Sequence, residues 1–143
     1  VDTGTTYLWN VIISASSRRP QAYIAVPIYS ENNRTLMGVW TGGLNLTNFN
    51  KSLQSLNLTN NDERVVYEDH QGQKIADSNT QLLSGPISMN ESFGDLQSFK
   101  SAVKGESGTM SEIINGTKMV VSYHPVKAFS NVWAVLSIRP YVN

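Results

Sequence analysis

Two histidines, a group of carboxylates and a glycine-broken apolar run are the features of this 143-residue chain whose types could carry chemistry. His70 and His124 stand far apart in sequence, and no ligand spacing joins them to a carboxylate, so no metal centre is expected. Asp62, Glu63, Glu68, Asp69 and Asp77 gather around one stretch and could do acid–base work. Carboxylates flanking turns are more often solvated or turn-forming, and that is the reading taken here. Many serines with only two histidines give no nucleophile–base–acid set. The absence of cysteine removes thiol catalysis, disulfides and cysteine metal sites. In "LMGVWTGGL", residues 36–44, the glycines do not form G-x-G-x-x-G, and no phosphate-loop lysine follows them. They read as a strand that bends or lets another backbone approach. No catalytic residue and no cofactor is expected.

Binding is better supported than catalysis. Tyr23, Tyr29, Trp40, Tyr67, Tyr123 and Trp133 all fall in expected strands, where core packing is the ordinary role of each ring. Arg18 and Arg19 stand just ahead of the first long strand, and a guanidinium matches a carboxylate in two-pronged fashion. Together they define a candidate ligand-binding set: Arg18, Arg19, Tyr23, Trp40, Tyr67 and Tyr123, rings as walls and arginine as the anchor for an anion.

These residues need elements to hold them. Residues 22–30 and 35–44 read as a hairpin, with Pro27 demanding an edge position or a bulge. A helix follows over 47–56, with Thr47 as its cap. Residues 64–69 and 74–77 form a second hairpin punctuated by Gly72. A Ser-rich, loop-like excursion over 78–104 carries a helix within 92–105 that ends at Gly105. Strands over 109–115, 118–126 and 132–138 close the chain, the first two joined by the tight Asn115–Gly116–Thr117 turn. The order is α+β, and the expected fold is a PAS-like single antiparallel sheet of five to six strands flanked by helices. One face would pack a helix and the other would lie under the middle excursion.

The bulk numbers agree with one globular domain over residues 1–143. Charged residues make up 15% and formal net charge is +0, which excludes the basic footprint of a nucleic-acid binder. The apolar runs are too short to span a bilayer. Asn33, Asn45, Asn57, Asn90 and Asn115 begin N-x-S/T sequons, and the polar, charge-poor composition leans toward an exported surface.

The quoted stretches also resemble a known family. "AYIAVPIYSENNRTLMGVWTGGLNLTNFNKSL" is similar to the strand, turn, "GV", strand and helix of Cache domains. "VVYEDHQGQKIADSN" resembles their D-x-x-G-x-x-x-A hairpin, and "MVVSYHPVKAFSNVWAVLSI" their closing strand pair. The resemblance covers residues 22–138. It implies an extracytoplasmic sensor module of a chemoreceptor or histidine kinase, with a ligand pocket between the sheet and the loops over it. It implies no enzymatic activity, and a small polar metabolite such as an organic acid as ligand. It also implies attachment to the membrane through flanking helices outside residues 1–143, with the long N-terminal helix truncated, and allows a homodimer in the full receptor. In the amino-acid-binding subgroup an Asp for the ligand amine stands near the end of the "GV" strand, where this chain has Gly43. The alternative is a PAS-like interaction or dimerisation module with no small ligand.

Overall fold

The structure, a computed structural model, describes residues 5–9, 11–16, 20–32, 34–55, 62–79 and 92–143. It contains nine strands and two helices among those residues: β1 (Tyr7–Leu8), β2 (Ile12–Ile13), β3 (Pro20–Tyr29), β4 (Leu36–Asn45), α1 (Leu46–Gln54), β5 (Arg64–Glu68), β6 (Lys74–Asp77), α2 (Gln97–Val103), β7 (Gly108–Ile114), β8 (Thr117–Ala128) and β9 (Asn131–Pro140).

The strands form two antiparallel sheets. In the first, β3 pairs with β4 on one side and with the short β1 and β2 in tandem on the other. The second has five strands in the order β6-β5-β9-β8-β7. The α+β class and the five-stranded antiparallel sheet are as expected from sequence. The single sheet is not: the 20–45 hairpin, expected beside the others, belongs to a sheet of its own. The cause is α1, which follows β4 directly. It buries Leu46 and Leu53 in a cluster with Leu8, Val11 and Ala22 of the first sheet's segment and Ile75 and Ala76 of β6. The hairpin therefore stacks through a core instead of extending the second sheet.

Local rules account for the boundaries. Asn45, not Thr47, caps α1: its side-chain oxygen accepts the Thr47 N–H at 3.0 Å. Pro27 pairs only with Val39, past the last β1 contact at Ala25, and a register shift follows between Ile28 and Tyr29. A residue without an N–H is tolerated at such an edge. Asn115 (φ 50°) and Gly116 (φ 79°) make the β7–β8 turn that an Asn-Gly pair favours. Helix α2 has no side-chain cap of its own. Glu112 of β7 supplies it from outside, accepting the N–H groups of Gln97 (2.6 Å) and Ser98 (3.2 Å).

The second sheet packs both faces. Val66, Val121, Ala134, Leu136 and Ile138 meet Phe93, Phe99 and Ala102 under α2. Its other face turns Val65, Tyr67 and Trp133 toward the cluster shared with the first sheet and α1. The described part of the middle excursion thus covers one face through Phe93 and α2, and α1 lies on the other side, as expected from sequence; residues 80–91 of the excursion fall outside the described ones.

Candidate functional site

The outer face of the first sheet carries a cleft of about 280 Å³ lined by Trp9, Ile12, Tyr23, Ile24, Ala25 and Thr41. Register explains which side chains share it. Tyr23 is opposite Gly43 and Ala25 opposite Thr41, so Tyr23, Ala25 and Thr41 project from the same face. Trp9 enters from the β1 side, where its N–H donates to the Tyr23 carbonyl at 2.7 Å. The Tyr7 ring stands edge-on to Trp9, centroids 5.5 Å apart. Trp9 and Ile12 remain 50% and 44% exposed, an apolar surface left open to solvent at a concavity.

Glycine at 43 has a local cause. A Cβ there would sit 3.4 Å from the Tyr23 ring, so the ring lies against the bare strand, and its hydroxyl donates to Gln21 Oε1 at 2.8 Å. The same arrangement recurs with Trp40 over Gly42 and Tyr123 over Gly108. The glycines of the broken strand make room for rings, as an aromatic laid across a neighbouring glycine does in many sheets.

The four described residues of the sequence-derived binding set do not share one cavity. Tyr23 lines the cleft. Trp40, 60% exposed, alternates with Thr41 and projects from the opposite face. Tyr67 packs toward the core between the sheets, and Tyr123 toward the cluster under α2, so these two lie on opposite faces of the second sheet. Ring type alone does not specify a face, and single-residue alternation separated them. Arg18 and Arg19 lie outside the described residues. Trp9, Ile12 and Thr41 were missed. "YLWNVIISAS", residues 7–16, reads in sequence as a short apolar patch of uncertain type, because two-residue strands leave no period to detect.

The carboxylates expected to be solvated divide differently. Glu68, Asp69 and Asp77 are buried. Asp69 is turn-forming as expected: its Oδ1 accepts from the N–H groups of Gln71 (3.0 Å) and Gln73 (2.9 Å). Asp77 receives Arg64 Nε at 3.1 Å, a second bond from Arg64 Nη2, and the fully buried Lys74 Nζ at 3.0 Å. Burial alone would raise the Asp77 pKa. The hydrogen bonds from Arg64 and the Asn79 N–H, the Arg64 charge and the Lys74 bond outweigh it, so the carboxyl titrates below its ordinary range. Glu68 stands opposite Lys74 in the β5–β6 register. None of these residues lines the cleft. The Asp77 bonds to Arg64 tie β5 to β6.

Comparison with known proteins agrees with the fold. A profile of the Cache domain matches residues 1–143. No curated protein matches in sequence. Among solved structures the chain is similar to the periplasmic sensory domain of the Campylobacter jejuni chemoreceptor Tlp1, with TM-score 0.71 and 20% identity over 95% of this chain and 49% of that one. It is similar to the ligand-binding domain of the Pseudomonas aeruginosa amino acid chemoreceptor PctC in complex with GABA, with TM-score 0.67 and 15% identity over 96% and 57%. The extracellular domain of the histidine kinase rpHK1S-Z16 gives TM-score 0.71 and 13% identity over 99% and 56%. The chain thus spans about half the length of each of these domains. With its whole length matched by the family's profile, the chain belongs to the Cache domain family.

Proposed function

We propose that residues 1–143 act as one extracytoplasmic sensing unit of a membrane receptor, binding a small polar metabolite such as an organic acid without transforming it. The observation that carries this reading is the cleft on the outer face of the first sheet. It offers the half-exposed Trp9 ring and the partly buried Tyr23 ring beside Thr41, on a paired backing of β3 and β4. Its volume stands at the small end of ligand pockets and suits a metabolite of about amino-acid size. The likeness in fold to chemoreceptor and histidine kinase sensory domains supports the same role. With Gly43 beneath the Tyr23 ring, that point of β4 offers no carboxylate for a ligand amine, which favours an acid over an amino acid. Arg18 and Arg19, shortly before Tyr23 in sequence, are the proposed anchors for its carboxylate. Binding would shift a population between two receptor conformations.

A thermal-shift screen against organic acids, amino acids including GABA, amines and purines tests this. A ligand at 100 times its Kd adds about 2.7 kcal/mol to stability, enough to move the melting temperature by several degrees. If no class moves it, the sensor reading fails for those classes.

One observation favours the interaction-module reading. Among the described residues β4 has a strand partner only in β3, and it exposes Leu36, Met37, Val39, Trp40 and Leu44. Concentration-dependent dimerisation abolished by Trp40→Lys, with no thermal shift from any ligand class, would replace the sensor reading with this one.

A further inference from the structure

Two side chains of the second sheet's half of the molecule reach the main chain on either side of Trp9. Asn131 Nδ2, at the start of β9, donates to the Leu8 carbonyl at 2.7 Å. Asp69 Oδ2, at the end of β5, accepts the Val11 N–H at 3.3 Å in a buried setting. Leu8 directly precedes Trp9, and Val11 follows it by two residues. Both are buried, at 1% and 2% exposure, in the cluster that Trp133 and Ala128 pack against from β9 and β8. Trp9 itself is half-exposed on the cleft side, held by its own N–H bond to Tyr23.

β1 and β2 are only two residues each, so their ladders to β3 alone hold Trp9 and Val11 weakly. From this we infer that Asn131 and Asp69 are positioning residues for the ligand cleft: they fix the main chain around Trp9, so that the second sheet sets where the indole stands. The inference rests on the reading of that cleft as the ligand site. It gives the two sheets a physical link at the binding wall, since a ligand that presses Trp9 loads two hydrogen bonds ending on β5 and β9. Asp69 also closes its own hairpin turn through Gln71 and Gln73, so Asn131 is the cleaner residue to alter.

The test needs no ligand. In ¹⁵N–¹H spectra the three tryptophan indoles give separate signals, assigned by Trp9→Phe, Trp40→Phe and Trp133→Phe. Asn131→Ala should shift or broaden the Trp9 signal and speed amide exchange at Val11 by about tenfold, the size expected for loss of one hydrogen bond's local stabilisation. The Trp40 signal, on the opposite face of the first sheet, should not move. Asn131→Asp, the same size without the donor, should reproduce the loss. A folded variant with unchanged Trp9 signal and Val11 exchange overturns the inference. So does rapid, unprotected exchange of the Val11 amide in the unaltered protein, a measurement that depends on no variant folding. Because neither readout involves a ligand, a failed positioning role leaves the sensor reading standing, and a failed ligand screen leaves these results decisive.

Discussion

The side-chain oxygen of Asn50 accepts the backbone N–H of Asp77 at 2.8 Å, tying α1 to β6 in the buried interior. Asn50 is 3% exposed on the face of α1 that also buries Leu46 and Leu53. A polar residue on an apolar face is explained by the donor it satisfies.

Asn50→Ala should therefore leave a buried N–H without its acceptor and cost about 1–3 kcal/mol. Urea denaturation measures it. A loss below about 0.5 kcal/mol, the range of ordinary surface substitutions, would show that the bond is not maintained in solution.

Asp77 sets the acid limb of stability. Its folded pKa lies below its unfolded value, so its contribution is fully present above the unfolded value of about 4 and is lost as pH falls through the folded one. Stability should decline below about pH 4, and Asp77→Asn should flatten that decline. At neutral pH the same change should cost about 1–3 kcal/mol, because the bonds from Arg64 and the buried Lys74 lose their charged acceptor. Parallel acid limbs in wild type and variant would remove Asp77 from this role.

Gly72 and Gly105 separate strain from space. Both have positive φ, 83° and 95°. A Cβ on Gly72 would lie 2.5 Å from the Gly94 Cα, whereas one on Gly105 meets nothing within 4 Å. Gly105→Ala should cost about 1 kcal/mol for the backbone conformation alone. Gly72→Ala should cost clearly more, about 2–4 kcal/mol, because two backbones must part. Equal losses in thermal melts would mean that the 72–94 approach is looser than described.

Trp133 packs against the core between the sheets and is half-buried. Full burial of a tryptophan would predict a loss of about 3–5 kcal/mol on truncation to alanine, and partial burial lowers the expectation to about 2–3 kcal/mol. Chemical denaturation of Trp133→Ala gives the value. A loss under about 1 kcal/mol would place the ring on the surface and the β9 register in error.

The hairpins were legible because strong punctuation marks them. Asn115–Gly116, the Asp69-to-Gly72 turn and Pro27 each impose a backbone geometry that few other residues tolerate. The split into two sheets was not, since strand order says nothing about whether α1 folds back between hairpins. Asp69 looks merely turn-forming in sequence because Val11, which its second carboxylate oxygen reaches, is 58 residues away, and the burial of Asp77 with Arg64 and Lys74 depends on α1, whose Asn50 lies 27 residues off. Trp9 was hidden for a similar reason: β1 and β2 exist only because β3 pairs with them. Of the candidate binding residues, the strand register sets Tyr23 and Trp40 on opposite faces of the first sheet.

The claim that the cleft on the first sheet is the ligand site is tested most directly by isothermal titration of Trp9→Ala and Trp40→Ala with the strongest stabiliser from the thermal-shift screen. Trp9→Ala should weaken binding by about 2 kcal/mol, the scale of a stacked aromatic wall, while Trp40→Ala leaves the affinity unchanged. Unaltered affinity in a folded Trp9→Ala protein, or a loss confined to Trp40→Ala, would contradict the account and move the site off this face.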